Sequence, residues 1–344
     1  MLFRSKRVRA IADQNGLKLS LIFHAGDGNL HPQILFDERD PEQTRKVKAA
    51  GYRMLKTCVD LGGSISGEHG IGMDKRESMR WLFSLETLQQ FRRIKNAFDP
   101  ENLCNPDKLI PLPDKEAKAA PLPDPGGVDL SAGTFAPQTL EECQRTLGAL
   151  SKGKKKFTIQ SAPPSLSPSI REEAAVVSTV NLNAIIEHDA ENFTVTVMAG
   201  MAVARLQEEL AAKNQKTLLA SEKTVGDVLS VNRPAVPRLR DQVLGLTAVL
   251  ADGTKVDFGG KVMKNVAGYD ATKLFLGSRG TLGLIAAVIL KTYPLNYPLP
   301  VRAERTEAGA PGLSKKPAAK DSTGPVRQRI KDAFDPEHLL PDRA

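Results

Sequence analysis

The stretch His24-Ala25-Gly26-Asp27-Gly28-Asn29-Leu30-His31 decides how the first third of this 344-residue chain is read. Before it, Leu19 to Phe23 is an apolar run that reads as a strand; after it, Ile34 to Phe36 reads as the return strand. Asp27-Gly28 is a strong hairpin signal, because a type I′ turn needs positive φ and glycine accepts it without steric cost. With those two residues at the turn centre, His24 and His31 stand directly opposite each other, at the roughly 4.5–5.5 Å Cβ spacing of cross-strand partners. That reach suits two imidazoles on one metal ion. The run Ser66-Gly67-Glu68-His69-Gly70-Ile71-Gly72 supplies the complement: Glu68 offers an oxygen ligand and leaves an open coordination position of the kind catalytic zinc sites keep. Three of the chain's five histidines fall in these two stretches. Singly, each would be an ordinary loop histidine satisfied by hydrogen bonds; together with Glu68 they fit a divalent site.

Outward from this stretch, composition sets the limits. The chain is long enough for two domains, and 41% hydrophobic with 26% charged residues is ordinary for globular protein. The net charge of +8 comes from Lys and Arg spread along the chain without a nucleic-acid motif, so a solvated basic surface is expected and no nucleic-acid partner. Cys58, Cys104 and Cys143 are isolated; no Cys-x-x-Cys occurs, which excludes a disulfide framework and an iron–sulfur site in this sequence and points to a reducing, cytoplasmic compartment. The start Met1-Leu2-Phe3-Arg4-Ser5-Lys6-Arg7 does not read as a secretory signal, and nothing approaches the ~18 apolar residues of a membrane span.

In chain order, Met1 to Gly16 predicts a helix stopped by Gly16. Asp40-Pro41-Glu42 opens a second helix, with Asp40 as cap, Val47, Ala50, Met54, Leu55 and Cys58 at helical spacing, and Gly62-Gly63 as the stop. Ser84 caps a third, whose Leu85, Leu88, Phe91 and Ile94 form an apolar face; Arg92, Arg93 and Lys95 are expected on its solvated side. From 111 to 137 a Pro-rich composition predicts a linker. A second globular run follows: a helix over Leu140 to Leu150, a strand at Phe157 to Ile159, a strand over Asn192 to Met198, a helix marked by Val203, Leu206 and Leu210, and a hairpin of Val243 to Leu250 with Val256 to Phe258 around Asp252-Gly253. Gly277, Gly280 and Gly283 then let backbone N–H groups approach a pyrophosphate, with Ser278 and Thr281 adding hydroxyls; the bland alternative is a glycine-rich turn between packed elements. Residues 301–325 read as another linker, and the tail Arg329-Ile330-Lys331-Asp332-Ala333-Phe334-Asp335-Pro336-Glu337-His338-Leu339 repeats Arg93 to Leu103.

The motifs His24 to His31 and Gly67-Glu68-His69-Gly70-Ile71-Gly72, with the ending Phe98-Asp99-Pro100-Glu101-Asn102-Leu103-Cys104-Asn105-Pro106, resemble the C-terminal domain of the FAD-linked 2-hydroxy acid oxidases and dehydrogenases. The order Asp241 to Gly245, Asp252-Gly253, Lys264 to Asp270 and Gly277 to Ile285 resembles the FAD-binding domain of the same group, most nearly the FAD-binding subunit of bacterial glycolate oxidase. The resemblance implies an α+β chain: a truncated ferredoxin-like C-terminal domain over 1–110, then an α/β FAD-binding domain of the vanillyl-alcohol oxidase/PCMH type over 138–300, and a terminal helix and tail over 326–344. It implies zinc or another divalent metal on His24, His31 and Glu68, His69 as the catalytic base, and Asn29 as a substrate contact or else only a turn residue. It also implies FAD held by Gly226, Lys264, Asn265, Gly268, Gly277, Ser278, Gly280, Thr281, Gly283, Ile285 and Asn105. The substrate would be a small 2-hydroxy acid such as glycolate or D-lactate. The partners would be an iron–sulfur electron-acceptor subunit and a related flavoprotein subunit, which could hold the chain at the inner membrane. Two departures stand out. Gln160-Ser161-Ala162-Pro163-Pro164-Ser165 has no glycine where the group's first phosphate loop belongs, and Thr224-Val225-Gly226-Asp227-Val228 keeps one where a pair is expected. These departures leave open a rival: a non-catalytic assembly subunit with degenerate FAD loops.

Overall fold

A computed structural model describes residues 2–113, 119–161, 174–231, 239–298 and 324–342. Most of the expected second linker, and the loop expected to follow Ser161, lie outside them.

The chain opens with helix α1 (Leu2–Gln14), hairpin strands β1 (Lys18–His24) and β2 (Asn29–Leu35), and helix α2 (Pro41–Asp60). Gly16 ends the first turn at φ +64°, a conformation glycine adopts without strain. The Asp40 carboxylate accepts from the N–H groups of Glu42 and Gln43 and so caps α2. Leu19, Leu21 and Ile34 share the inner face of the hairpin and pack on Val8, Ile11 and Ala12 of α1 and Ala50 and Met54 of α2. The opposite face carries His24, Asn29 and His31.

The turn differs from expectation. His24 pairs with Asn29 and His31 with Ile22, so the loop holds four residues, Ala25 to Gly28, and the two histidines are diagonal rather than opposite. A type I′ turn needs positive φ at both central residues; only Gly28 has it, at +69°. Both imidazoles still share one face, because they lie two residues from register.

A short 3-10 turn (Glu77–Trp81) leads to α3 (Leu85–Phe98), capped by the Ser84 hydroxyl, which accepts from Thr87 N–H. The second half begins with β3 (Thr134–Phe135), α4 (Leu140–Lys152), β4 (Phe157–Gln160) and β5 (Ala175–Ser178), the strands forming a parallel sheet in the order β3-β5-β4. Next come β6 (Ile185–Asp189), β7 (Thr194–Met198), α5 (Val203–Ala211), β8 (Gln215–Lys216), α6 (Val225–Val231) and α7 (Leu239–Gln242). Then follow β9 (Val243–Val249), β10 (Lys255–Gly259), α8 (Thr272–Phe275), β11 (Leu284–Lys291), β12 (Tyr293–Pro294) and α9 (Gly324–Phe334). Five strands make an antiparallel sheet in the order β10-β9-β11-β7-β6, and β8 pairs with β12. The result is the expected α+β chain.

Helix α3 buries its apolar face outside the small cluster around the hairpin. Its Leu88, Phe91 and Ile94 enter the large cluster that also holds Phe258, Phe275, Val288 and Phe334 of the second half. The Phe91 ring lies 5.6 Å from Phe258 and 5.1 Å from Phe83, spacings typical of paired aromatics. The sequence echo is structural as well. α3 and α9 lie side by side, and Gln90 Nε2 donates to Ala333 O at 2.8 Å. Both end on the same device: Lys95 pairs with Asp99 and Lys331 with Asp335, and each aspartate accepts two further N–H groups, from Leu103 and Cys104 or from Leu339 and Leu340.

Arg92, expected on a solvated face, instead joins Arg76 and Arg80 of the preceding segment in gripping the chain that follows, while Arg93 is exposed as expected. Arg76 donates to Asp107 O at 2.7 Å, Arg80 to Leu112 O at 2.8 Å, and Arg92 to Pro111 O. The start of the linker is therefore bound to α3 and to the 3-10 turn before it.

The Lys95 hydrogen bond, helped by the N–H groups of Cys104 and Leu103, holds the Asp99 carboxyl down at about 2. Because the folded value lies below the unfolded one near 4, the stabilisation is complete above that pH and fades as pH falls toward 2. Urea midpoints followed against pH are expected to show wild type approaching Asp99→Asn through this window; parallel curves would show that Asp99 contributes nothing there.

Candidate functional site

Glu68 and His69 lie on an irregular loop whose flanks are anchored: Ile65 and Ile71 are both buried in the large core. With those two side chains and Ser66 buried, Gly67 to Gly70 are pushed outward, against the hairpin. Glycine at 67 lets the loop close on the hairpin, since a Cβ there would come within 2.8 Å of Asn29 Oδ1.

The geometry at this junction is compact. Glu68 Oε2 lies 3.7 Å from His24 Nε2 and 3.6 Å from His31 Nε2, and one ligand atom from each of the three falls within 4.8 Å of the others. The His24 and His31 rings meet edge to face at 5.2 Å, and the His69 ring stands 5.2 Å from His31 on its other side. Asn29, on the same strand, turns its buried side-chain amide toward Glu68 and helps to hold that carboxyl low. Two imidazoles and a carboxylate at this spacing are the donor chemistry of a divalent transition-metal or zinc centre, so the residues fit such an ion.

The other oxygen of Glu68 is taken. Lys264 Nζ lies 2.5 Å from Glu68 Oε1 and 2.9 Å from Asp27 Oδ2 of the hairpin turn. That hydrogen bond, with the charges of Lys264 and His24, holds the Glu68 carboxyl below the usual carboxylate range against the effect of burial. Lys264 therefore sits at the candidate metal centre. Asn265, beside it, accepts from Ser64 Oγ at 2.8 Å, and Val266 N–H donates to Ser66 O at 3.2 Å. Lys264, expected at a flavin, pairs here with Glu68 across 196 residues and also with Asp27, and no local pattern signals either partner.

Asn29, His31, Glu68, His69, Lys75 and Lys264 line one open cleft of about 1210 Å³. Of the other cations on its walls, Arg4 donates to Leu61 O at 2.9 Å and Lys261 pairs with Glu187. Lys75 is half-buried, and that burial pushes its ammonium below the usual lysine range.

The glycine-rich stretch is more committed than expected. The N–H groups of Gly277, Ser278, Arg279 and Thr281 donate to the carbonyls of Leu229, Phe275, Ser230 and Ser278, and Gly226 N–H donates to Ala199 O. Gly268 (φ +80°) serves packing, since a Cβ there would meet the Phe91 ring at 2.6 Å. Gly283 lies against Val249 O, Ile285 is buried in β11 opposite Ala248, and Asn105 is exposed with Lys108 Nζ at 3.4 Å. Thr281 Oγ1 donates back to Ser278 O at 2.7 Å. What remains for a flavin diphosphate is the buried, unpartnered Ser278 Oγ, near Gly280 where the loop touches Ile159 at the end of β4. That hydroxyl and the positive-φ loop fit a phosphate there.

Residues 5–109 match the family described as FAD linked oxidases, C-terminal domain, and residues 131–259 match FAD binding domain. The chain thus carries an FAD-linked oxidase C-terminal domain match followed by an FAD binding domain match. More particularly, it is similar to glycolate oxidase subunit GlcD of Escherichia coli K12, 44% identical over 104 residues, which are 30% of this chain and 21% of that one. It is also 37% identical over 111 residues to the mitochondrial D-lactate dehydrogenase [cytochrome] of Arabidopsis thaliana, covering 32% of this chain and 19% of that one. The matches span about a fifth of the length of these relatives. Among solved structures, an alkyldihydroxyacetonephosphate synthase superposes over 47% of this chain and 31% of its own, at 18% identity and a TM-score of 0.39. No described helix is long and apolar enough to cross a membrane.

Proposed function

We propose that the chain acts as an FAD-dependent oxidoreductase on a small 2-hydroxy acid of the glycolate or D-lactate type, assisted by a divalent metal. The observation that carries this reading is the convergence of His24, His31 and Glu68 on one point with His69 alongside. A zinc ion, when bound there, supplies Lewis-acid polarisation of the substrate hydroxyl. His69 is the base that takes the hydroxyl proton; imidazole suits the task because its ordinary pKa, about 6.5, lies near working pH. FAD, when bound, supplies the hydride acceptor, and Ser278 and Gly280 would contact its diphosphate. Lys75 meets the substrate carboxylate, because among the described residues it is the one cationic side chain lining the cleft with no hydrogen bond or ion pair. Asn29 orients the bound acid through its side-chain amide. Electrons leave through an iron–sulfur partner subunit, with a related flavoprotein subunit in the same complex, inside the cytoplasm or peripheral to the inner membrane.

One observation favours a second reading, a non-catalytic assembly subunit: most N–H donors of the glycine-rich stretch are already spent on protein carbonyls. A flavin spectrum and a metal analysis on the same purified sample separate the two. Flavin absorbance with about one zinc per chain is expected. A colourless protein that does not take up added FAD leaves the assembly reading, or, if it still holds zinc, a metal-binding regulatory module.

A further inference from the structure

We propose that Lys264 is a positioning residue of the metal centre, contributed by the second half of the chain to a site whose ligands all lie in the first. The inference rests on the metal reading above and extends it to the docking of the two halves.

The geometry is specific. Glu68 divides its two oxygens: Oε1 faces the Lys264 ammonium at 2.5 Å, and Oε2 faces the two imidazoles at 3.6 and 3.7 Å. A carboxylate on an exposed loop has free rotation about its terminal torsion, so something must hold Oε2 toward the histidines. Lys264 does so from one side. It also reaches Asp27 at 2.9 Å, which ties the hairpin turn carrying His24 and His31 to the loop carrying Glu68. One ammonium thus joins both ligand-bearing segments. Lys264 is itself fixed by its neighbours, since Asn265 and Val266 bond to Ser64 and Ser66 just before Glu68. The lysine is therefore delivered at the right height along the Ser64–Glu68 segment, and cation affinity depends on the two halves being docked.

Two physical effects give opposite signs, which makes the test decisive. If Lys264 acts only as a nearby positive charge, it repels a divalent ion, and removing it tightens binding. If it positions Glu68, removing it loosens binding by about tenfold or more, as loss of partners that orient metal ligands does. The measurement is zinc affinity of the full chain by chelator competition, with zinc alone as ligand. Lys264→Met is expected to bind zinc about tenfold more weakly, and Lys264→Arg to stay near wild type because its guanidinium can still span both carboxylates. Lys261→Met removes a positive charge from the same cleft, where it pairs with Glu187, and is expected to leave affinity unchanged. An unchanged or tighter Lys264→Met overturns the positioning role while the metal reading stands. A wild type that binds no zinc overturns both. Because Lys264 is 38% exposed, loss of folding is not expected; should it occur, weakened zinc binding by Asp27→Asn with unchanged thermal stability supports the tie, and unaltered affinity overturns it.

Discussion

In His69→Gln, turnover of a 2-hydroxy acid is expected to fall by about 10²–10⁴-fold while zinc stays bound, the loss typical of removing a general base. The effect should lie in kcat rather than KM, because His69 is not among the three donors that converge and acts on the proton rather than on binding. His31→Ala behaves differently. It deletes one of three ligands, so zinc content and turnover fall together, and added zinc restores neither. The contrast is the test: equal losses of metal in both variants would remove His69 from the role of base, and full zinc content in His31→Ala would dismiss the candidate centre.

The second large effect is on stability. Asp335 is fully buried and accepts from Lys331, Leu339 and Leu340, while Lys331, 7% exposed, donates also to Leu340 O. Asp335→Ala is expected to cost about 3–5 kcal/mol, because it leaves a buried ammonium without its counter-charge. It also strands two N–H groups. The double variant Lys331→Met, Asp335→Leu should recover part of that loss, since an apolar pair removes the unpaired charge but not the two orphaned donors. Urea midpoints of the three proteins decide it. A single variant as stable as wild type would mean that the tail gives no support, even though Leu339 O accepts from Phe157 N–H at the start of β4.

Much of this was legible in the residues because it is local. Asp40 and Ser84 cap the helices they were expected to cap, and the Val243 to Phe258 hairpin turns at Gly253, whose φ is +87°. The first hairpin was legible in kind but not in register, since Asp-Gly alone does not say whether both central residues reach positive φ. Glycine spacing is ambiguous for a different reason. Gly268 and Gly283 are needed where neighbours come close, and sequence cannot distinguish room for a phosphate from room for Phe91 or for Val249 O. Nothing local signals that Lys264 has Asp27 and Glu68 as partners. Arg92 was read as solvated because the carbonyl it holds, that of Pro111, belongs to a segment without periodicity.

The packing of α3 bears on how such a chain can be wired. Phe91 and Ile94 reach the second half through space, as Lys264 reaches Glu68, and neither contact depends on the peptide that joins the halves. A segment named C-terminal in the FAD-linked oxidases can therefore precede an FAD binding domain match in the chain. Transposition changes the covalent route and leaves the mating surfaces alone.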